Sequence, residues 1–581
     1  MTRPQTYISA TMTALSAVAV YCFFAFKYPY HLHFQEQYQL FESTWEYFGS
    51  VAAVPGGLAD WIGRFLTQFC YHAPVGAVLM TALVVSVQLL TFAACRRRTF
   101  VSFALSFLPA ALLLVFFCDE IALAGGAVSI IIPLACSLLC TRVRSDKARW
   151  TIESVLVPLT YMACGGLSIV FVLTCIIREF ARCGRKAFLF ALASIVLAVL
   201  CPFAAARLFP YPFGRLCYGI HYYRLHNILP GMLWVSAICS PLVAGLCSFR
   251  IRERFTGWQW TAGAILFILS VALGTGLVLR TADWTKEESM RFGFMARMEM
   301  WNKIMMRADV HNPQDAASIS CLNLALAKTG RMGDHQFDYY QDGTDGLIPG
   351  FVADFTGPLT TGEIFWHLGM VNSAQRFAFE AQEAIPDFQK SARCYKRLAQ
   401  TNIVNGDWDV ARKYLKALRN ATFYRRWADE TLALLDSGTI PPELERIRDL
   451  RLKEHEFLFS ETEMDSMLGL LIVENPSNTL ALDYLMSWCL LQKNLDRFVE
   501  CLPLVDAPAL PKSYQEALLL RWVQTHTGFE GLPAYILPAY AQRISRFLTD
   551  LQTGKDEGQM RQFYGDTYWF YYYYRQDPSA L

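Results

Sequence analysis

Uncharged runs of about twenty residues recur along the first half of the chain and stop near Arg280. They lie at roughly 7–26, 74–94, 100–118, 121–140, 187–206, 229–249 and 258–279. Each is long enough to cross a bilayer as a helix. An eighth run, 153–177, carries Gly165 and Gly166 near its middle, where a bend is cheap. After residue 280 the pattern changes. Apolar positions recur at intervals of three and four, and acids sit at helix starts, as in water-facing amphipathic helices. The pattern predicts an all-α protein: a polytopic transmembrane domain over 1–280 and an α-helical-repeat domain over 281–581.

Basic clusters punctuate the runs: CRRRTF at 95–100, TRVRSDKARW at 141–150 and SFRIRERF at 248–255. The positive-inside rule makes these cytoplasmic, with Asp119 and Glu120 turning on the opposite side. A further cluster, REFARCGRK at 178–186, looks cytoplasmic too, yet only run 153–177 separates it from the loop at 141–150. Either that run re-enters and returns, or it crosses and breaks the charge rule. The N-terminal run reads as a retained first helix and not as a cleaved signal peptide. Seven crossings from a cytoplasmic start leave everything after 280 outside. The expected location is a bacterial inner membrane with a periplasmic C-terminal domain.

In that outer half, CLNLALAKTGRMGDHQF at 321–337, LAQTNIVNGDWDVARKYLKAL at 398–418 and DYLMSWCLLQKNLDRFVECL at 483–502 share one form. An apolar helix ends at a turn residue and a second helix opens a few residues on. Asn405 and Gly406 end one helix and Asp407 opens the next. These read as divergent tetratricopeptide-like pairs, which stack into a solenoid suited to protein partners. Residues 338–363 are rich in Gly, Asp and Pro and predict a long loop. FYGDTYWFYYYYR at 563–575 predicts a last element docked on the membrane or on the solenoid.

Composition narrows the classes. The chain has 581 residues, of which 54% are hydrophobic and 18% charged, too apolar for one soluble protein. The net charge of +2 argues neither for nor against nucleic acid, and the basic clusters between apolar runs read as topology signals, not as a nucleic-acid groove. Of 17 cysteines, 13 lie before residue 280, mostly inside apolar runs, where they act as small hydrophobes. No paired-cysteine spacing or calcium-loop pattern occurs, so no metal and no cofactor is expected. The seven runs carry no ionisable group at depth, which lowers a transporter reading.

Candidate chemistry sits in the two outer loops, 27–73 and 207–228. In the first, Phe34, Tyr38, Phe41, Trp45 and Phe48 recur on one helical face, with Glu36 off the stripe. This predicts an amphipathic helix on the membrane surface. A second helix follows VPGG at 54–57, with Asp60, Arg64 and Gln68 sharing one side, a spacing that also suits a plain surface ion pair. The second loop carries Arg215, His221 and Arg224 among aromatics. Glu36 or Asp60 as catalytic base, with Arg215, His221 and Arg224 holding a phosphate, would suit a lipid phosphate substrate. One helix followed by a long outer loop with two interfacial helices and an acid resembles membrane glycosyltransferases that use polyprenyl-phosphate-linked sugars. GGLADWIGRFLTQF at 56–69 and QTNIVNGDWDVARKYL at 400–415 resemble a Bacteroides-type family of multi-pass inner-membrane proteins with no assigned activity. That resemblance implies an inner-membrane location and supplies no catalytic residue. The function expected first is a membrane-anchored periplasmic scaffold binding a protein partner. The alternatives are a glycosyltransferase-like enzyme taking a polyprenyl-linked sugar and, after it, a transporter. Membrane lipid is a partner in each, and nucleic acid in none.

Overall fold

The structure, a computed structural model, describes residues 3–219, 231–248, 258–352, 356–385, 389–452, 463–526 and 528–575. Among them the regular elements are all helices. Two compact units form. Unit 1 comprises 1–287 with two later segments, 385–393 and 416–429, and unit 2 comprises 288–384, 394–415 and 430–581.

Unit 1 runs through α1 (Arg3–Cys22), α2 (Pro29–Tyr38), α3 (Trp45–Ala52), α4 (Gly57–Thr67), α5 (Ala73–Ala94), α6 (Phe100–Leu105) and α7 (Phe107–Phe116). It continues with α8 (Ala124–Cys140), α9 (Asp146–Cys164), α10 (Ile169–Cys183), α11 (Phe188–Leu208), α12 (Phe213–Tyr218), α13 (Gly231–Leu246) and α14 (Trp258–Thr281). Among the described residues, four helical runs are long and apolar enough to cross a membrane: Thr6–Lys27, Ala73–Ala94, Asp146–Leu208 and Trp260–Thr281. Phe100–Phe116, Ala124–Cys140 and Gly231–Leu246 are apolar but shorter than expected of the runs that contain them. The protein is a multi-pass membrane protein with a large extramembrane helical region. Helix α11 shows why the bilayer is needed: Leu189, Val199, Leu200 and Phe203 are all more than half exposed. An apolar face left open is stable only against lipid.

The eighth run doubles back on itself. Gly165, at φ +62°, ends α9, and α10 returns beside it. Arg149 at the start of α9 meets Glu179 near the end of α10, Nη2 to Oε2 at 2.7 Å, so the two helices are antiparallel. The basic segments at 141–150 and 178–186 therefore share one end of the hairpin, which removes the conflict in the charge pattern. Arg144 and Arg185 are both exposed there. In a cysteine-free background, Arg144→Cys and Arg185→Cys are expected to react with a membrane-impermeant maleimide from the same side. Labelling from opposite sides would contradict the hairpin.

The stripe at 34–48 does not form one surface helix. Helix α2 stops at Tyr38, residues 39–44 form no helix, and α3 starts at Trp45. Phe34, Tyr38 and Phe41 are buried, whereas Trp45 is 86% exposed. The later segments of unit 1 cover this stretch. Leu40 N–H donates to the Lys390 carbonyl at 2.6 Å and Ser43 N–H to the Asn420 carbonyl at 2.9 Å. A helix with partners on both faces needs no headgroup layer.

Unit 2 is a large packed helical region of successive helix–turn–helix pairs. Ala316–Lys328 ends before Gly330 at φ +66°, Ala392–Asn405 before Gly406 at φ +92°, and Thr479–Leu491 before Lys493 at φ +59°. Asn494 then caps the next helix, its side chain accepting from Arg497 N–H at 3.0 Å. Ala411 and Leu415 face inward, both fully buried. The loop predicted over 338–363 is shorter, because Thr356–Leu368 is a helix. Asn323 pins that loop, Nδ2 donating to Gln341 Oε1 at 2.9 Å and to the Gly346 carbonyl at 2.8 Å. The aromatic C-terminal segment docks on helices of unit 2: the buried Trp569 indole donates to the Glu516 carbonyl at 2.8 Å, and Tyr571 Oη to that of Leu491 at 2.8 Å.

Candidate functional site

The first and second loops of unit 1 meet through bare backbone. Gly56, Gly165 and Gly219 all have positive φ, at +85°, +62° and +70°. A methyl group added to Gly56 would lie 1.6 Å from the Gly219 carbonyl oxygen, and one on Gly165 would lie 2.6 Å from Gly219 Cα. Gly56 N–H also donates to the Met162 carbonyl at 2.9 Å. The first loop and the hairpin tip thus close on the Gly219 backbone through Gly56 and Gly165, neither of which has room for a side chain. Helix α4 then packs on α8 through Gly63 and Gly125, and a methyl added to Gly63 would meet the Gly125 backbone nitrogen at 2.2 Å. The glycine pairs at 56–57 and 165–166 signalled bends in the sequence. That they touch one another was not readable from it.

This junction orients Asp60. Arg64 grips its Oδ2 from Nε at 3.1 Å and Nη2 at 2.6 Å, and both side chains are about one-seventh exposed, 16% and 14%. Arg64 Nη1 also donates to Tyr47 Oη at 3.3 Å, and Tyr47 donates to the Leu40 carbonyl at 3.2 Å. Burial pushes the Tyr47 hydroxyl up, against the opposing pull of Arg64. The relay ties residue 40, α3 and α4 into one piece. Around it Phe41, Phe48, Trp61 and Phe65 form a continuous set of ring contacts at 5.1–6.2 Å.

Glu36 is engaged elsewhere. It is 3% exposed and accepts from Tyr424 Oη at 2.9 Å. Next along the same covering segment, Phe423 stacks on Tyr71 at 5.0 Å. Arg215 lies half-buried on α12, four residues before Gly219. His221 and Arg224 fall outside the described residues. The sequence reading missed two groups of this region. Glu287, 3% exposed, accepts from Tyr30 and His31 N–H at 2.8 and 3.0 Å, and from His31 Nδ1 at 3.1 Å. It is an anion at the N-terminus of α2, supplied from 256 residues away. Tyr424 is the second, and no local pattern could link it to Glu36.

At the opposite end of the hairpin, ligand atoms of Asp146, Glu179 and Cys183 lie within 4.8 Å of one another. Arg149 donates to both carboxylates, at 2.6 and 2.7 Å, so a guanidinium supplies the cation there.

A family profile described as "Family of unknown function (DUF6057)" matches residues 5–575. The chain belongs to this family. The match spans both units, so the membrane unit and the helical region form one family architecture and not a chance fusion. No curated protein and no solved structure matches the chain.

Proposed function

We propose that this family member is a membrane-anchored platform whose helical unit binds a protein partner at the non-cytoplasmic face of a bacterial inner membrane. The supporting observation is that both loop carboxylates have structural partners, Asp60 with Arg64 and Glu36 with Tyr424. A catalytic base needs to accept a proton from substrate. These two instead join segments of unit 1, which suits a mount for the helical unit. Unit 2 keeps apolar residues open to a partner, among them Val473 at 77% and Phe563 at 57% exposure. Photo-cross-linkers at these two positions in native membranes are expected to capture one reproducible protein. No reproducible adduct at either position would remove this reading.

A second reading has one observation in its favour. The glycine junction joins the loop of Asp60 to the loop of Arg215. A transferase of polyprenyl-linked sugars would use Glu36 or Asp60 as base and Arg215, His221 and Arg224 as phosphate holders. On that reading Asp60→Asn and Glu36→Gln abolish sugar transfer in a protein that stays folded. On the platform reading both substitutions loosen unit 1 and change no lipid-linked sugar pool.

A further inference from the structure

At the end of unit 1 opposite the glycine junction, separate segments bring their cations together. Arg149 joins three of them, donating to Asp146 at the start of α9, to Glu179 near the end of α10 and to the Val143 carbonyl in the link after α8. Arg96, just past α5, adds a fourth by donating to the Ala181 carbonyl. The carboxylates of these segments are taken up internally: Arg149 holds Asp146 and Glu179, and Arg178 holds Glu153. The remaining cations stay open. Arg98 after α5, Arg142, Arg144 and Lys147 around the start of α9, and Arg185 and Lys186 after α10 are all exposed. Among the described residues none of these six is in an ion pair. Helix α13 ends at the same level, with Val243 and Ala244 packed in one apolar cluster with Cys95. The segment that follows, 249–257, lies outside the described residues, and its sequence holds three arginines and one glutamate.

The six cations stand where the lipid-facing surface stops. Leu139 lies just before Arg142, Phe188 and Leu189 just after Lys186, and Val155 further along α9 from Lys147, and all four are more than half exposed. Such an apolar face meets acyl chains, which puts the neighbouring cations at headgroup level. A topology signal needs only positive loops. The folded unit does more: it spends buried or nearly buried guanidiniums on its own carboxylates and leaves six cations without one, gathered on one face. A phosphodiester fits them, since a guanidinium forks onto its two free oxygens and an ammonium adds a point charge. We infer that this face of unit 1 binds anionic phospholipid, recognised through its headgroup phosphate. Lipid is favoured over a free phosphate because the apolar surface beside the cations takes up acyl chains. The inference is independent of the platform reading, since every residue it uses lies in unit 1 and away from Asp60 and Glu36.

The test uses the full chain in a nonionic detergent, unfolded by heat with added phosphatidylglycerol, phosphatidylcholine or glycerol 3-phosphate. Phosphatidylglycerol is expected to raise the unfolding temperature in a concentration-dependent way that weakens as salt rises. Phosphatidylcholine has no net charge and glycerol 3-phosphate has no acyl chain, so neither is expected to match it. Equal stabilisation by glycerol 3-phosphate would give the face to a soluble anion and overturn the lipid assignment.

Variants locate the face. Arg142→Gln, Arg144→Gln, Arg185→Gln and Lys186→Gln together remove exposed cations outside any ion pair, so without lipid the quadruple variant is expected to unfold at the parental temperature. Its affinity for phosphatidylglycerol is expected to fall about tenfold or more. Lys27→Gln with Arg280→Gln removes exposed cations from the other end of unit 1, where Val278 packs with Tyr28 and Cys118. That variant is expected to bind as the parent does. The parent protein alone gives a second reading: phospholipid still bound after extraction from native membranes is expected to be several-fold enriched in anionic headgroups over the membrane itself. Bound lipid of the membrane's own composition overturns the face. So does equal stabilisation by phosphatidylglycerol and phosphatidylcholine, parental affinity in the quadruple variant, or an equal loss in the Lys27, Arg280 variant.

Discussion

Arg149→Met is expected to cost the detergent-solubilised protein about 3–5 kcal/mol, because it strips the buried Glu179 of its two-pronged partner and leaves it only the Trp150 indole and Arg178 Nε at 3.5 Å. Arg149 and Glu179 are both fully buried. Arg149 donates twice to Glu179, at 2.9 and 2.7 Å, and once to the Val143 carbonyl at 3.1 Å. The Trp150 indole adds a fourth bond, to Glu179 at 2.8 Å, and Arg178 pairs with Glu153 one turn further in. The double variant Arg149→Met, Glu179→Leu removes both charges and is expected to recover most of the loss, since two apolar side chains fill the site without a desolvation cost. Denaturant unfolding followed by tryptophan fluorescence checks both. A single variant within about 1 kcal/mol of the parent, or a double variant no better than the single, contradicts the closed hairpin.

The second large effect is at the glycine junction. Gly56→Ala is expected to leave no folded protein in the membrane. Its methyl group has nowhere to go at 1.6 Å from the Gly219 carbonyl oxygen. Gly184→Ala isolates the backbone term. Gly184 also has positive φ, +56°, but an added methyl meets nothing within 4 Å. That variant is expected to accumulate normally with a loss of about 1–3 kcal/mol. Fluorescence-detected size exclusion of the two variants gives the comparison. Equal amounts of monodisperse protein would show that the three loops do not need this close approach.

Those two sites mark where the sequence was legible and where it was not. Uncharged runs and basic clusters announced the membrane half, because lipid and the translocation machinery read the same pattern. The doubling back at Gly165 was one of two readings left by the charges at 141–150 and 178–186. The pair that selects it, Arg149 with Glu179, lies thirty residues apart in sequence. Helix ends in unit 2 were legible at Gly406 and at Lys493–Asn494, since turn chemistry is local. The stretch 27–48 was misread as a surface helix for the opposite reason. Its stripe is real, but what covers it comes from Lys390, Asn420 and Tyr424, hundreds of residues away. The same blindness applied to the chemistry. Asp60 and Arg64 could be paired by spacing, whereas Glu36 and its partner Tyr424 lie 388 residues apart with no shared motif.

The central claim is that the outer-loop carboxylates build the mount and do no chemistry. Asp60→Asn in the native membrane tests it most directly, with thermal stability and lipid-linked sugar pools read from the same cells. Losing the fork to Arg64 is expected to lower the unfolding temperature while the sugar pools stay at the parental level. A variant as stable as the parent, with lipid-linked sugar accumulating, would contradict the account.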